Sequence, residues 1–370
     1  MENLNQLIEI SRQFGTNPDY IIAGGGNSSY KDDERMWVKA SGTSMGVIDK
    51  DGFVCLDRHK MKVISERHYS ANPSQREEEV KQDLHNAILY PEGKRPSVEA
   101  SMHEIIPFAY VMHTHPTLVN GVLCAQNSRQ VIQELFGDDV VYLPYTDPGY
   151  VLFKDVEEAL NVFRNEKGKD AQIIFLENHG VFVRADSCEE VKNIYKLIEE
   201  KINGALLSAL NAENNNEVSE LETLAESLSK VIGGEVQHFV CDQSLLSRSF
   251  VENESTFPPV SIPFTPDNIV YCKSKYLYLS NGDNYEDRVR DFTARFDYAP
   301  KLIAIEGKGL IALEESQKSA QIVMDVFKDM MKVARLTESF GGARPMTPEQ
   351  IEFIDNWEVE NYRRQMSKQS

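Results

Sequence analysis

Several absences narrow the reading first. No stretch of the 370 residues approaches the ~18 consecutive apolar residues that a membrane-crossing helix needs. The amino terminus, Met-Glu-Asn-Leu-Asn-Gln-Leu, has neither a basic start nor an apolar signal core. A cytoplasmic protein without membrane association is the expectation. Cysteine is scarce: Cys55, Cys124, Cys188, Cys241 and Cys272 are scattered and form no Cys-x-x-Cys pair. That excludes a disulfide framework and a zinc ribbon. Basic residues are outnumbered, 39 Lys and Arg against 58 Asp and Glu, for a net charge of −19. A surplus of acid argues against non-specific binding to nucleic acid, whose phosphates require cationic side chains. There is no Gly-Lys-Ser/Thr phosphate loop and no Gly-x-Gly-x-x-Gly dinucleotide fingerprint. Neither an internal repeat nor a low-complexity tract is visible.

What remains is an ordinary globular composition, 41% hydrophobic and 26% charged, at a length comfortable for two domains. Periodicity predicts helices over Leu4–Phe14, Glu77–Leu89 and Cys188–Leu210. Strands are expected at Ile21–Gly26, Met36–Ala40, Phe53–Leu56, Ala109–His113, Val140–Pro144, Gln172–Leu176 and Val181–Val183. The polar run 211–216, Asn-Ala-Glu-Asn-Asn-Asn, reads as a linker, separating a domain of residues 1–210 from one of residues 217–370. In the second, Asn268–Tyr271 and Leu302–Ile305 read as strands. Leu310–Phe340 reads as mainly helix, with Ala320, Val323, Phe327, Met330 and Ala334 on one face.

Three histidines sit in informative contexts. In Val111-Met112-His113-Thr114-His115-Pro116 the end of a strand would turn His113 and His115 to one face, since strand side chains alternate. In Asn178-His179-Gly180 a third histidine follows an apolar strand, and Gly180 permits a sharp turn. Three neutral imidazoles with an open fourth position make a catalytic zinc site. Upstream, Pro96-Ser97-Val98-Glu99 looks like a helix start with Ser97 as N-cap and Pro107 as terminator. Glu99 would lie in the first turn, where a carboxylate can equally well only offset the helix dipole. Ala23-Gly24-Gly25-Gly26-Asn27-Ser28-Ser29 and Ala40-Ser41-Gly42-Thr43-Ser44 are glycine turns with neutral hydrogen-bond donors. Alone, each is most simply a turn.

Taken in order, Gly26-Asn27-x-Ser29, Ser41-Gly42-Thr43, Pro96-Ser97-x-Glu99, His113-x-His115-Pro116 and Asn178-His179-Gly180 resemble the class II aldolase/adducin family. Order and spacing are those of L-fuculose-1-phosphate and L-rhamnulose-1-phosphate aldolases. Ser97-Val98-Glu99-x-x-x-His103 and Ile305-Glu306-Gly307-x-Gly309 further resemble the aldolase part of two-part rhamnulose-phosphate aldolase/alcohol dehydrogenase proteins. The resemblance implies an α/β fold with a mainly antiparallel central sheet flanked by helices, followed by a smaller α/β domain from about residue 217. It implies that His113, His115 and His179 bind zinc or another divalent metal and that Glu99 is the acid/base. Asn27, Ser41, Gly42 and Ser97 would hold a substrate phosphate. Val98 departs from the fuculose type, which has a second hydroxyl residue there, so unphosphorylated ketoses stay among the candidates.

The expected reaction is cleavage of a ketose 1-phosphate to dihydroxyacetone phosphate and a small aldehyde, by a homo-oligomer with a tetramer as the family's habit. Rival readings are an epimerase, a dehydratase or a decarboxylase of the same family, and an adducin-like interaction module. Resembling epimerases carry Asp in place of Glu99, and adducin-like modules lose the three histidines. A dehydrogenase half would need further chain beyond Ser370, so no NAD is expected. Residues 217–370 are expected to be structural, with Gly307 and Gly309 in a tight strand-to-helix turn.

Overall fold

The computed structural model describes residues 2–207, 219–234 and 236–356. They fall into two compact units: residues up to 123 together with 128–205, and residues 124–127 together with those from 206 on. The polar run 211–216 lies outside the described residues.

The first unit is built on an eight-stranded sheet. Its elements are α1 (Glu2–Gly15), β1 (Asn27–Lys31), β2 (Arg35–Lys39), β3 (Phe53–Asp57), α2 (Arg58–Glu66), α3 (Pro73–Asn86), β4 (Ile88–Tyr90), α4 (Ala100–Ile105) and β5 (Tyr110–Thr114). They continue through α5 (Thr117–Leu123), α6 (Ser128–Phe136), β6 (Val141–Leu143), α7 (Tyr150–Lys167), β7 (Ile173–Leu176), β8 (Gly180–Ala185) and α8 (Cys188–Asn203). The strand order is β4-β3-β2-β1-β5-β8-β7-β6. Every neighbouring pair is antiparallel except β6 and β7. The fold class is therefore the expected one, a mainly antiparallel sheet between helices.

Alternation along β1 and β5 decides what faces where. Ser28 turns to α1, where its Oγ lies 2.7 Å from Ser11 Oγ. Thr114 turns to α8, its Oγ1 2.7 Å from the Tyr195 hydroxyl. On that side α1 buries Leu7, Ile10 and Phe14 at helical spacing, with the Phe14 ring 4.8 Å from Tyr20 and 4.5 Å from Tyr195. α8 starts at Ser187, whose side chain accepts from the Glu190 N–H, and buries Val191, Ile194, Tyr195, Ile198 and Ile202. Each such aliphatic side chain contributes roughly 1.5–3 kcal/mol by leaving water. The opposite face carries a core cluster drawn from β2, β3, α2, α3, α4 and α7, including Met36, Val54, Ile64, Leu84, Met102 and Phe153. Asn27, Ser29, Lys31, Val111 and His113 alternate onto this second face.

The second unit comprises α9 (Ser219–Ile232), β9 (His238–Asp242), α10 (Leu245–Val251), α11 (Pro266–Cys272) and β10 (Leu277–Leu279). These are followed by α12 (Tyr285–Phe296), β11 (Leu302–Ile305), β12 (Gly309–Glu314), α13 (Gln317–Thr337) and α14 (Pro348–Asn356). Its sheet has the order β10-β11-β12-β9. A buried cluster of Leu221, Leu228, Leu279, Phe292, Ile303 and Ile311 fills one side. α13 packs against β9 and β12, burying Ala320, Val323, Phe327, Met330 and Ala334.

Four local expectations are corrected. Ile21–Gly26 is no strand: Ala23 and Gly26 take positive φ, 54° and 65°, and pairing begins at Asn27. Asn268–Tyr271 belongs to α11, because Pro266 at the first turn and the reciprocal Thr265–Asn268 capping box outweigh the β-branched pair Ile269-Val270. Leu310–Glu314 is a strand, and the helix after it waits for its N-cap, Ser316. Gly307 and Gly309 therefore close a β11–β12 hairpin, with no helix start beside them.

Candidate active site

His113 lies on β5, the strand that pairs with both β1 and β8, and its Cα partners are Asn27 and Phe182. Its ring stacks on Phe182 at 4.2 Å between centroids. Nδ1 is 3.1 Å from the Val181 carbonyl. A carbonyl only accepts, so Nδ1 carries the hydrogen and Nε2 presents its lone pair on the other side. His115 follows the strand end, where its backbone N–H donates to Tyr20 O. Its Nε2 comes within 3.0 Å of His113 Nε2. His179 sits in the β7–β8 hairpin. Here the sharp turn is made by Asn178, at φ 53°, and Gly180 has a different task. A Cβ on Gly180 would stand 2.4 Å from Thr114 O and 2.7 Å from His115 Cδ2, so its absence lets the hairpin lie against the end of β5. The three imidazole centroids are 4.8, 5.0 and 5.1 Å apart, and one ligand nitrogen from each falls within 4.8 Å of the others. Converging imidazoles with one tautomer fixed by the backbone are a donor set that fits a divalent ion of the zinc type.

Glu99 is buried beside this cluster. Its Oε1 is 3.5 Å from His113 Nε2 and 3.6 Å from His179 Nε2. Its Oε2 accepts from Asn27 Nδ2. With the Asn27 amide nitrogen on Glu99, the amide oxygen is left to accept from His103 Nε2. His103 Nδ1 is then the acceptor for Ser29 Oγ, 2.7 Å away. Burial, followed by the nearby Lys31 and His113, holds the His103 imidazole well below its ordinary pKa, in keeping with this neutral tautomer. Lys31, the next residue on the same face of β1, donates to the His103 carbonyl. Burial lowers the Lys31 ammonium to about 7, with Glu104 opposing and Arg58 and Arg184 reinforcing. Period-two alternation thus hands three successive polar side chains, Asn27, Ser29 and Lys31, to one buried helix residue.

The remaining sequence-predicted residues join the same end of the sheet. Ala40 bridges Pro96, Ser41 N–H donates to Arg95 O at 2.8 Å, and Ser97 N–H donates to Lys39 O at 3.0 Å, so the Ser41–Gly42 and Ser97 loops run side by side. Gly42 is at φ 80°. The expected helix start shifts by two residues. α4 begins at Ala100 with Glu99 in the N-cap position, while Ser97 Oγ accepts from the Glu99 N–H at 3.3 Å. Ser97 therefore seats the backbone of Glu99.

His103 is the residue that sequence reasoning passed over as a site candidate. Its signal was present: it follows Glu99 by four positions, the spacing at which helical residues share a face.

Among the described residues, no helix is long and apolar enough to cross a membrane. A relative from Bacillus subtilis (strain 168), named as the uncharacterized oxidoreductase YuxG, is 21% identical over 417 residues. The match takes in 98% of this chain and 58% of the relative, so the chain spans a little over half of that protein's length. Among solved structures, the N-terminal class II aldolase domain of a conserved protein from Thermoplasma acidophilum is 25% identical, with 55% of this chain and 92% of that one covered at a TM-score of 0.47. L-fuculose-1-phosphate aldolase from Thermus thermophilus is 17% identical, over 54% of this chain and 92% of that one, at a TM-score of 0.33. The model of the class II aldolase and adducin N-terminal domain matches residues 5–203, more than half of the chain and the whole span that carries the imidazole cluster and Glu99. With motif order, sheet and matched span in agreement, the chain belongs to the class II aldolase and adducin family.

Proposed function

We propose that this protein is a divalent-metal-dependent aldolase that cleaves a ketose 1-phosphate of the rhamnulose or fuculose kind into dihydroxyacetone phosphate and a small aldehyde. The observation that carries the reading is the seat of Glu99, with one carboxylate oxygen 3.5 and 3.6 Å from two imidazoles of a three-histidine cluster.

His113, His115 and His179 would hold the ion, which when bound supplies Lewis-acid stabilisation of negative charge at the ketone end of the substrate. The work of the other residues follows from their contacts. Cleavage between C3 and C4 requires a proton to leave the C4 hydroxyl and one to reach the three-carbon product. Glu99 Oε1 faces the cluster and is the group placed to move them. Asn27 keeps Oε2 engaged, so a single oxygen presents itself to substrate. Val181 O holds His113 in the ligating tautomer. Ser41, Gly42 and Ser97 offer neutral donors where their loops run together, suited to phosphate oxygens. Asn27 has one Nδ2 hydrogen left after Glu99, and its first duty is to position the carboxylate. In this reading the second unit is structural, the described residues bind no NAD, and the protein assembles as a homo-oligomer.

The test is a metal assay followed by a screen of ketose phosphates with aldehyde detection. Metal-dependent release of an aldehyde and dihydroxyacetone phosphate is expected. Metal-dependent epimerisation or dehydration without aldehyde would replace the proposed reaction with another of the same family. Titration with NAD and NADP by calorimetry checks the remaining expectation, and micromolar affinity would overturn it.

A further inference from the structure

No repeat is visible in the sequence, yet the second unit follows the first element by element from β5 onward. The first runs β5-α5-α6-β6-α7-β7-β8-α8 and the second β9-α10-α11-β10-α12-β11-β12-α13. The sheet orders correspond, β5-β8-β7-β6 against β9-β12-β11-β10, and in both the last-named pair is the parallel one. Lengths match where geometry is most constrained. The paired strands have five and five, three and three, four and four, and six and six residues, and α5 and α10 have seven each.

The irregular backbone matches as well, and two compact folds of one class do not share such details by strand order alone. The residue before the site position of the hairpin is left-handed in both, Asn178 at φ 53° and Gly307 at φ 68°. Its N–H reaches the last residue of the helix after the first strand, Leu123 O in one case and Val251 O in the other. Glu177 N–H donates to Leu143 O as Glu306 N–H does to Leu279 O. The two glutamate side chains repeat a contact, accepting the N–H two residues past the short strand, from Tyr145 and from Asn281. A Cβ on Gly180 would meet Thr114 O at 2.4 Å, and one on Gly309 would meet Asp242 O at 2.3 Å. The following helices are capped by Ser187 and Ser316.

The registers then fix the equivalence residue by residue. Thr114 pairs with Val181 and Asp242 with Leu310; His113 pairs with Phe182 and Cys241 with Ile311. We infer that β9–α13 is a second copy of β5–α8 in which the positions of His113, His115 and His179 carry Cys241, Gln243 and Lys308. The copy retains what builds the hairpin, namely Glu306, Gly309 and Ser316, and lacks the three imidazoles. Glu177, whose counterpart Glu306 survives where the three histidines do not, is by the same comparison a positioning residue for the hairpin that carries His179. The description of 113, 115 and 179 as ligand positions rests on the function proposed above; the structural equivalence does not.

Restoring the ligands tests the equivalence. The variant C241H/Q243H/K308H, prepared with His113, His115 and His179 either intact or all changed to Ala, is titrated with Co²⁺ alone and followed by visible ligand-field absorption and by equilibrium dialysis. The expected result is one cobalt per chain gained over the matching background in both, since three converging imidazoles suffice to bind the ion. Gain in the alanine background with no loss between the two parents would fault the proposed metal site and leave the repeat standing. A folded variant that gains no cobalt in either background overturns the repeat. Should the buried change at Cys241 cost the fold, judged by circular dichroism, Q243H/K308H leaves Cys241 as the third ligand. The same gain is then expected, and its absence in this folded protein overturns the repeat equally.

Discussion

In the first unit the β5–β8 pair is extended on the β5 side by β1, β2, β3 and β4; in the second, β9 carries no further strand among the described residues. The difference separates the contributions to the site. The half that recurs in the second unit supplies the imidazoles, while the half that does not recur supplies Glu99, its partner Asn27, the His103 beneath them and the Ser41 and Ser97 loops. At Cys241 the face that meets Glu99 in the first unit instead packs on the apolar cluster around Ile311 and Phe239. The hairpin architecture thus occurs once with β1 and α4 laid beside it and once without them.

The largest expected effect lies in the non-recurring half. Glu99→Gln should lower the rate of aldehyde release about 100- to 10,000-fold while leaving metal content nearly unchanged. Full activity in that variant would remove Glu99 from the reaction and reduce the contrast between the units to the histidines alone.

The next effect should strike both units. Gly180→Ala and Gly309→Ala each force a Cβ onto a strand carbonyl, and such overpacking costs about 1–3 kcal/mol. Gly309 should suffer more, because its φ of 151° adds backbone strain. Chemical denaturation of the two variants measures this. A tolerated alanine at either position would break the parallel between the hairpins.

The third expectation concerns β1, one of the four strands without a second-unit counterpart. Burial lowers the Lys31 ammonium to about 7 in the folded protein, from its ordinary 10.5 in the unfolded chain. Between those values the unfolded state binds more protons, so this residue makes stability rise with pH across the window. Lys31→Met should accordingly stabilise the protein relative to the parent more at pH 7 than at pH 10. Equal effects in denaturation at both pH values would mean that Lys31 is solvated in the folded state.

Local signals in the chain mark some parts of the fold and site, and long-range contacts make the rest. His113-x-His115 and Asn178-His179-Gly180 were legible because strand alternation and a hairpin turn are local. The sheet was legible because apolar runs such as Ile173–Leu176 are short and bounded. Glu99 was ambiguous from its own segment, since a carboxylate at a helix start has an ordinary electrostatic purpose; its role depends on Asn27, 72 residues away. The Asn27–His103–Ser29 chain was hidden for the same reason. In the second unit the apolar run Leu310–Leu313 merged with the helical pattern after it, although Ser316 marked the boundary. The repeat is faint in the sequence because little more than Glu306, Gly309 and Ser316 preserves the residues of the first copy around the hairpin, while φ angles, registers and strand lengths preserve its shape.

The three-histidine metal site is tested by the metal content of the purified parent beside H113A/H115A/H179A, by elemental analysis after dialysis against a trace of Zn²⁺. About one divalent ion per chain is expected in the parent and none in the variant, with the fold retained by circular dichroism. A folded variant that keeps the ion would contradict that site and move the metal away from the β5 and β7–β8 histidines.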